Sequence, residues 1–117
     1  MTQEEVLEAM VNRDPLYIVD CENFIYYVKQ VHIEGYEIFS TDKEMQFILS
    51  DKDFYTSGNE KTYADFLFKD KEECQKVADK YNNNPTNKKR AEDWNSVETQ
   101  KQLLELREIA KEINNIN

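Results

Sequence analysis

The apolar residues of this chain change period once, near residue 70, and that change constrains the fold more than any other feature. In DFLFKDKEECQKV (65–77) the alternation carried by Phe66 and Phe68 stops at Lys69-Asp70. From Cys74 onward the apolar residues Cys74, Val77, Ala78 and Tyr81 fall at i, i+3, i+4 and i+7, which places them on one face of a helix. Asp70 stands where an N-cap accepts hydrogen bonds from first-turn amides. The junction predicts a strand, 63–68, feeding directly into a helix, 70–82, whose apolar face packs on a sheet. The stretch holds no catalytic group, glycine loop or metal-ligand pair, so it reads as a packing element, with function on a surface elsewhere.

The rest of the chain supplies the sheet. Thr2-Gln3-Glu4-Glu5 has the form of a capping box, and Val6, Leu7, Met10 and Val11 make one stripe, so a helix is predicted over 1–14, ended by Asp14-Pro15. β-Branched and aromatic residues then dominate: Leu16 to Val19, Asn23 to Ile33, Tyr36 to Phe39 and Met45 to Leu49 read as strands. The turns between them are expected at Asp20–Asn23, at Glu34-Gly35, at 41–43, at 50–53 and in TSGNEK, 56–61. Two glycines and two prolines leave few positions for left-handed turns, so asparagine and aspartate must make the connections. Asn82 to Asn87 reads as a polar linker into a final helix over 88–114. On it Leu103, Leu106, Ala110 and Ile113 form one stripe, while Trp94, Val97 and Leu104 face another way. A helix apolar on two sides touches two surfaces, expected first to be inside the domain and otherwise on a second copy. The class is α+β: an N-terminal helix, a small antiparallel sheet of four to five strands (16–68) and two C-terminal helices, in one domain of 117 residues.

Charge decides which partners are plausible. The net charge is -9, and all of it arises in residues 1–60, because acids and bases balance in the remainder. A field concentrated in one half attracts a basic partner and repels nucleic acid, so the asymmetry is either a solubility device or a docking surface, and outside Lys88-Lys89-Arg90 no basic stripe is present for DNA or RNA. No apolar run is long enough for a bilayer and the N-terminus is acidic, so a cytoplasmic protein without membrane attachment is expected. Cys21 and Cys74 lack metal or redox spacing and read as thiols outside any disulfide.

Catalytic signatures are weak. His32 is the single histidine and reads as a half-exposed strand residue. No serine or cysteine stands in a nucleophile motif. Asp51, Asp53 and Glu60 imitate a calcium loop, but Tyr55 occupies a ligand position and Gly58 is misplaced. The reading is therefore a non-enzymatic protein without cofactor or metal. Tyrosines interleaved with acids in the negative half make a candidate partner-binding face of Glu22, Tyr26, Glu34, Tyr36, Glu37, Asp42, Glu44, Asp51, Asp53 and Tyr55, since tyrosine buries area while keeping a hydroxyl to bond.

The run FLFKDKEECQKVADKY, with the aromatic strands before it (YEIFSTDKEMQFIL), resembles the strand-then-helix ending of small acidic proteins from phages and mobile elements of low-GC Gram-positive bacteria. The resemblance implies an inhibitor of host defence, of the anti-CRISPR type, that acts as a DNA mimic on the basic surface of a nuclease. The alternatives are an immunity protein for a toxin nuclease, or a phage assembly protein that oligomerises, for instance as a homodimer, through Trp94, Val97 and Leu104.

Overall fold

The computed structural model describes residues 1–38, 44–51 and 60–116. Helix α1 (Gln3–Asn12) begins at the expected capping box: Thr2 Oγ1 accepts from the Glu5 amide, and the Glu5 carboxylate accepts from the Thr2 amide. These bonds to Thr2 hold the Glu5 carboxyl below its ordinary pKa. Arg13, in the left-handed conformation, closes the helix just before Asp14-Pro15. Four antiparallel strands follow in sheet order β1-β2-β3-β4: β1 (Leu16–Glu22), β2 (Ile25–Ile38), β3 (Met45–Asp51) and β4 (Lys61–Tyr63). The α+β reading holds.

The sheet curls. After β4 the chain makes a 3₁₀ turn, Ala64–Phe66, and returns to the far edge of β1, where Tyr17 and Phe68 exchange two backbone hydrogen bonds of 2.9 Å. One face of the curl, carrying Leu16, Ile18, Val31, Ile33, Phe47 and Leu49, is closed by Val6 and Ala9 of α1 and by Ala64 and Leu67. Helix α2 (Lys71–Asn83) starts at Asp70, whose carboxylate accepts from the Glu72 amide, and it packs against β1 and β2. Its Tyr81 ring lies 5.2 Å from that of Tyr26. Tyr26 is out of phase with Val31 and Ile33 along β2, so it occupies the other face. Helices therefore cover both faces of the sheet.

Four local expectations change. The strand foreseen at 63–68 is three residues long, because Ala64, buried, turns the chain inward and only Phe68 resumes pairing. Glu34-Gly35 does not end a strand. The register slips there by one residue and β2 continues to Ile38 as a bulged strand. The supposed linker at 82–87 is helical on either side of an extended Asn84, which accepts from the amides of Thr86 and Asn87, and Pro85 opens α3 (Pro85–Trp94) at the first helical position, where an amide would have no intrahelical partner. The final helix is thus two helices. Ser96, whose Oγ accepts from the Thr99 amide, starts α4 (Val97–Ile116).

Trp94, at the end of α3, folds back onto the β1–β2 hairpin. Its ring meets that of Phe24 edge-on at 5.6 Å, and its indole N–H donates to Asn23 Oδ1 at 3.0 Å. Asn23 and Phe24 both have positive φ, 52° and 64°, as a two-residue hairpin turn requires. An aromatic side chain rarely adopts that conformation, and here the ring contact with Trp94 offsets the strain. Helix α4 leaves this anchor without packing on the sheet. The radius of gyration, 18.6 Å, exceeds the roughly 13–14 Å of a compact chain of this length.

Candidate functional site

The edge of β1 beyond Tyr17 is open among the described residues. Tyr17 directs its N–H and C=O away from β2, and in an antiparallel ladder every second residue does the same, so Val19 and Cys21 also face outward. The Cys21 amide is taken by the neighbouring Asp20 Oδ1 at 2.8 Å. No described residue hydrogen-bonds the backbone of Val19. An unpaired strand edge is a template for another strand.

Along this edge runs a groove of about 450 Å³, within the range of built binding sites. One wall is the strand-to-helix junction, with Phe66, Phe68, Val77 and Tyr81. Its far side includes Thr62 and Leu49. The stretch read from sequence as a packing element thus lines the groove. Phe66, expected to point along a strand into the fold, is 59% exposed.

The rim is acidic. Asp20, Glu60 and Asp65 border the groove, and Lys29 reaches two of them, at 3.7 Å from Asp20 and 3.4 Å from Glu60. Lys61 also borders it, but its ammonium lies 2.8 Å from the Glu37 carboxylate. Among the described residues, three carboxylates against Lys29 leave a surplus of two negative charges. Tyr27 donates its hydroxyl proton to Asp20 Oδ2 at 3.2 Å. Partial burial, and then the charge of Asp20, hold that phenol protonated to higher pH than usual. The Asp20 carboxylate therefore shields an edge amide, accepts from Tyr27 and faces Lys29 together.

The residues singled out from sequence separate into two groups. Tyr26 lines the groove, and Glu22 ends the strand whose edge it follows. Glu34 and Tyr36 lie toward the other end of β2, and Glu34 is nine positions from the partner of Glu22, roughly 30 Å along a strand. Glu37 is there too, paired to Lys61, and Glu44 precedes β3, exposed. Asp42, Asp53 and Tyr55 fall outside the described residues, and so does most of the calcium-like segment; Asp51 is described only through its backbone. Sequence reasoning missed Asp20, Lys29, Glu60, Asp65 and Phe66. Asp20 reads from sequence as the start of a turn at Asp20–Asn23, but β1 runs on to Glu22 and the turn is Asn23-Phe24; a carboxylate directly after the apolar run Leu16 to Val19 is the one signal of it.

His32 is half-buried opposite Ser50. Cys74 is fully buried, and burial pushes its thiol up to about 11, while Cys21 is exposed. Among the described residues no cluster of His, Cys, Asp and Glu has the arrangement to hold a metal, and no helix is long and apolar enough to cross a membrane. Comparison with protein families, with curated proteins and with solved structures finds no match.

Proposed function

We propose that this chain is a non-enzymatic protein-binding domain that receives a cationic, extended segment of a partner along the open edge of β1. The observation that carries the reading is the coincidence, among the described residues, of three features: a Val19 backbone without a partner on its outer edge, a groove beside it, and a rim with surplus negative charge. Strand addition supplies affinity through main-chain hydrogen bonds and selectivity through alternate side chains. A strand laid here extends the ladder that Phe68 begins. Its side chains alternate between the Leu49 side of the groove and the Tyr81 side, and a lysine or arginine reaches Asp20, Glu60 or Asp65. The finer identity of the partner, a basic nuclease of host defence whose nucleic-acid surface is blocked, rests on the resemblance and on the sign of the charge.

Two measurements test these levels separately. Fluorescence polarisation with a short peptide alternating lysine and valine should show saturable binding. Methylating alternate backbone nitrogens should abolish it, and D20N/E60Q/D65N should weaken it about tenfold, as should added salt. Equal binding of a glutamate–valine peptide, or indifference to methylation, would overturn the groove reading. DNA cleavage by a purified CRISPR effector nuclease should fall in the presence of the chain and recover with the triple variant. Undiminished cleavage at saturating chain, with the peptide still bound, removes the nuclease and leaves the groove.

A further inference from the structure

Helix α4 carries an apolar stripe that the described residues leave largely uncovered. Leu106, Ile109 and Ile113 are 61%, 52% and 58% exposed, and with exposed Ala110 and half-buried Leu103 they lie within roughly a third of a turn at 100° per residue. The 3-4-3 spacing of Leu103, Leu106, Ala110 and Ile113 is that of a helix–helix seam. Leu104 and Val97, also exposed, project from nearly the opposite side. Of the two apolar sides read from sequence, α4 carries both but without Trp94, which belongs to α3, and beyond half-buried Leu103 the larger stripe stays exposed.

The charges beside the stripe identify what covers it. On one flank stand Arg107 and Lys111, and on the other Glu98, Glu105 and Glu112 with Lys101 at its outer margin, a flank that keeps a surplus of two negative charges, as the same angular spacing requires. The contact of Lys111 with Glu108, 3.9 Å between two largely exposed groups, is too loose to commit that ammonium. A two-fold axis parallel to the helices sets the cationic flank of one copy against the acidic flank of the other. An axis perpendicular to them sets like against like. The helix is thus self-complementary in one orientation only.

The area is sufficient. Twenty residues of helix span about 30 Å, and a seam of that length with five apolar residues from each copy buries on the order of 1,000 Å² in total, the lower bound of a specific interface. We propose that α4 joins two copies of this chain as a parallel helical pair. The anchor of Trp94 on the hairpin, and the hydrogen bond from Gln100 Nε2 to the Trp94 carbonyl at 2.7 Å, fix how α4 leaves each domain. Both β1 grooves are then carried by one assembly, so a partner displaying two basic segments gains avidity.

Sedimentation equilibrium of the full chain should give a dimer at micromolar to millimolar concentrations. L106E should weaken the dimer on the order of 100-fold, because each dimer loses two buried leucines, whereas L104E, on the opposite side, should leave it intact. Circular dichroism checks that both variants keep their helices. Orientation is read from oxidation of Leu103→Cys in a Cys21→Ser background: a parallel pair aligns residue 103 with its own copy and cross-links quickly. A strict monomer at the highest concentration assigns the stripe to a different partner and overturns the proposal, as does equal loss with L104E. A dimer that fails to cross-link overturns the parallel arrangement.

Discussion

Asn82 performs the work of a missing strand, and its removal should be costly in a calculable way. The N-terminal half of β2 pairs with β1 on one side, but pairing with β3 begins only at Val31. Tyr26 therefore directs its amide and carbonyl at an edge that no strand of the described residues covers. The Asn82 side chain satisfies both, accepting from the Tyr26 amide at 2.8 Å and donating to the Tyr26 carbonyl at 2.8 Å. Each such bond contributes about 0.5–1.5 kcal/mol net. The site is partly buried, and the pair should be worth about 2 kcal/mol, the middle of that range when summed over two bonds. N82A should lower the thermal midpoint by roughly 6–10 °C for a domain of this size. N83A, at an exposed neighbouring helix position, corrects for the higher helix propensity of alanine. N82D should do no better than N82A at neutral pH, since a carboxylate can accept from the amide but has no proton for the carbonyl. Urea denaturation of the variants measures the differences. If N82A, corrected by N83A, costs less than about 0.5 kcal/mol, the argument that a side-chain amide completes the sheet edge is refuted. Because Asn82 also holds Tyr26 beside Tyr81, the same variant should weaken the lysine–valine peptide in the groove.

Other consequences are simpler to state. Phe24→Gly should be about 1 kcal/mol more stable than Phe24→Ala, because glycine carries no penalty at positive φ; chemical denaturation decides the order. W94A removes both the edge-on ring contact and the bond to Asn23, so hydrogen exchange in residues 85–94 should accelerate while the β3 amides keep their protection. Between pH 9 and about 11 the unfolded chain releases the Cys74 proton while the folded chain holds it, so stability falls as pH rises through that window. The loss is about 1–2 kcal/mol after solvent screening is allowed for, and it should be absent in C74A, as denaturation at successive pH values will show. A thiol reagent should label Cys21 rapidly and Cys74 only on unfolding.

Local chemistry made much of the fold legible. The capping box at Thr2-Glu5, the cap at Asp70 and the face of Cys74 and Ala78 each depend on residues within two turns of one another, and each appears in the structure as the spacing requires. The errors share a cause as well. Gly35 was read as a break, yet a side chain added there would meet only Ile48 Cδ1, at an ordinary 3.7 Å, so the strand bulges and continues. Asn84-Pro85 was read as linker because those residues end helices, but they also begin them, and only the position of the next element distinguishes the two uses.

The sequence by itself determined the α+β class, the starts of α1 and α2 and the sign of the charge, because periodicity, capping and ionisation are properties of neighbours along the chain. Tertiary structure alone decided that the sheet curls until Phe68 meets Tyr17, that Asp20, Glu60 and Asp65 gather on one rim, and that the stripe on α4 stays uncovered. Those facts depend on contacts between residues 40 and more positions apart, whose closure is governed by the packing of the whole core. No short-range pattern encodes it.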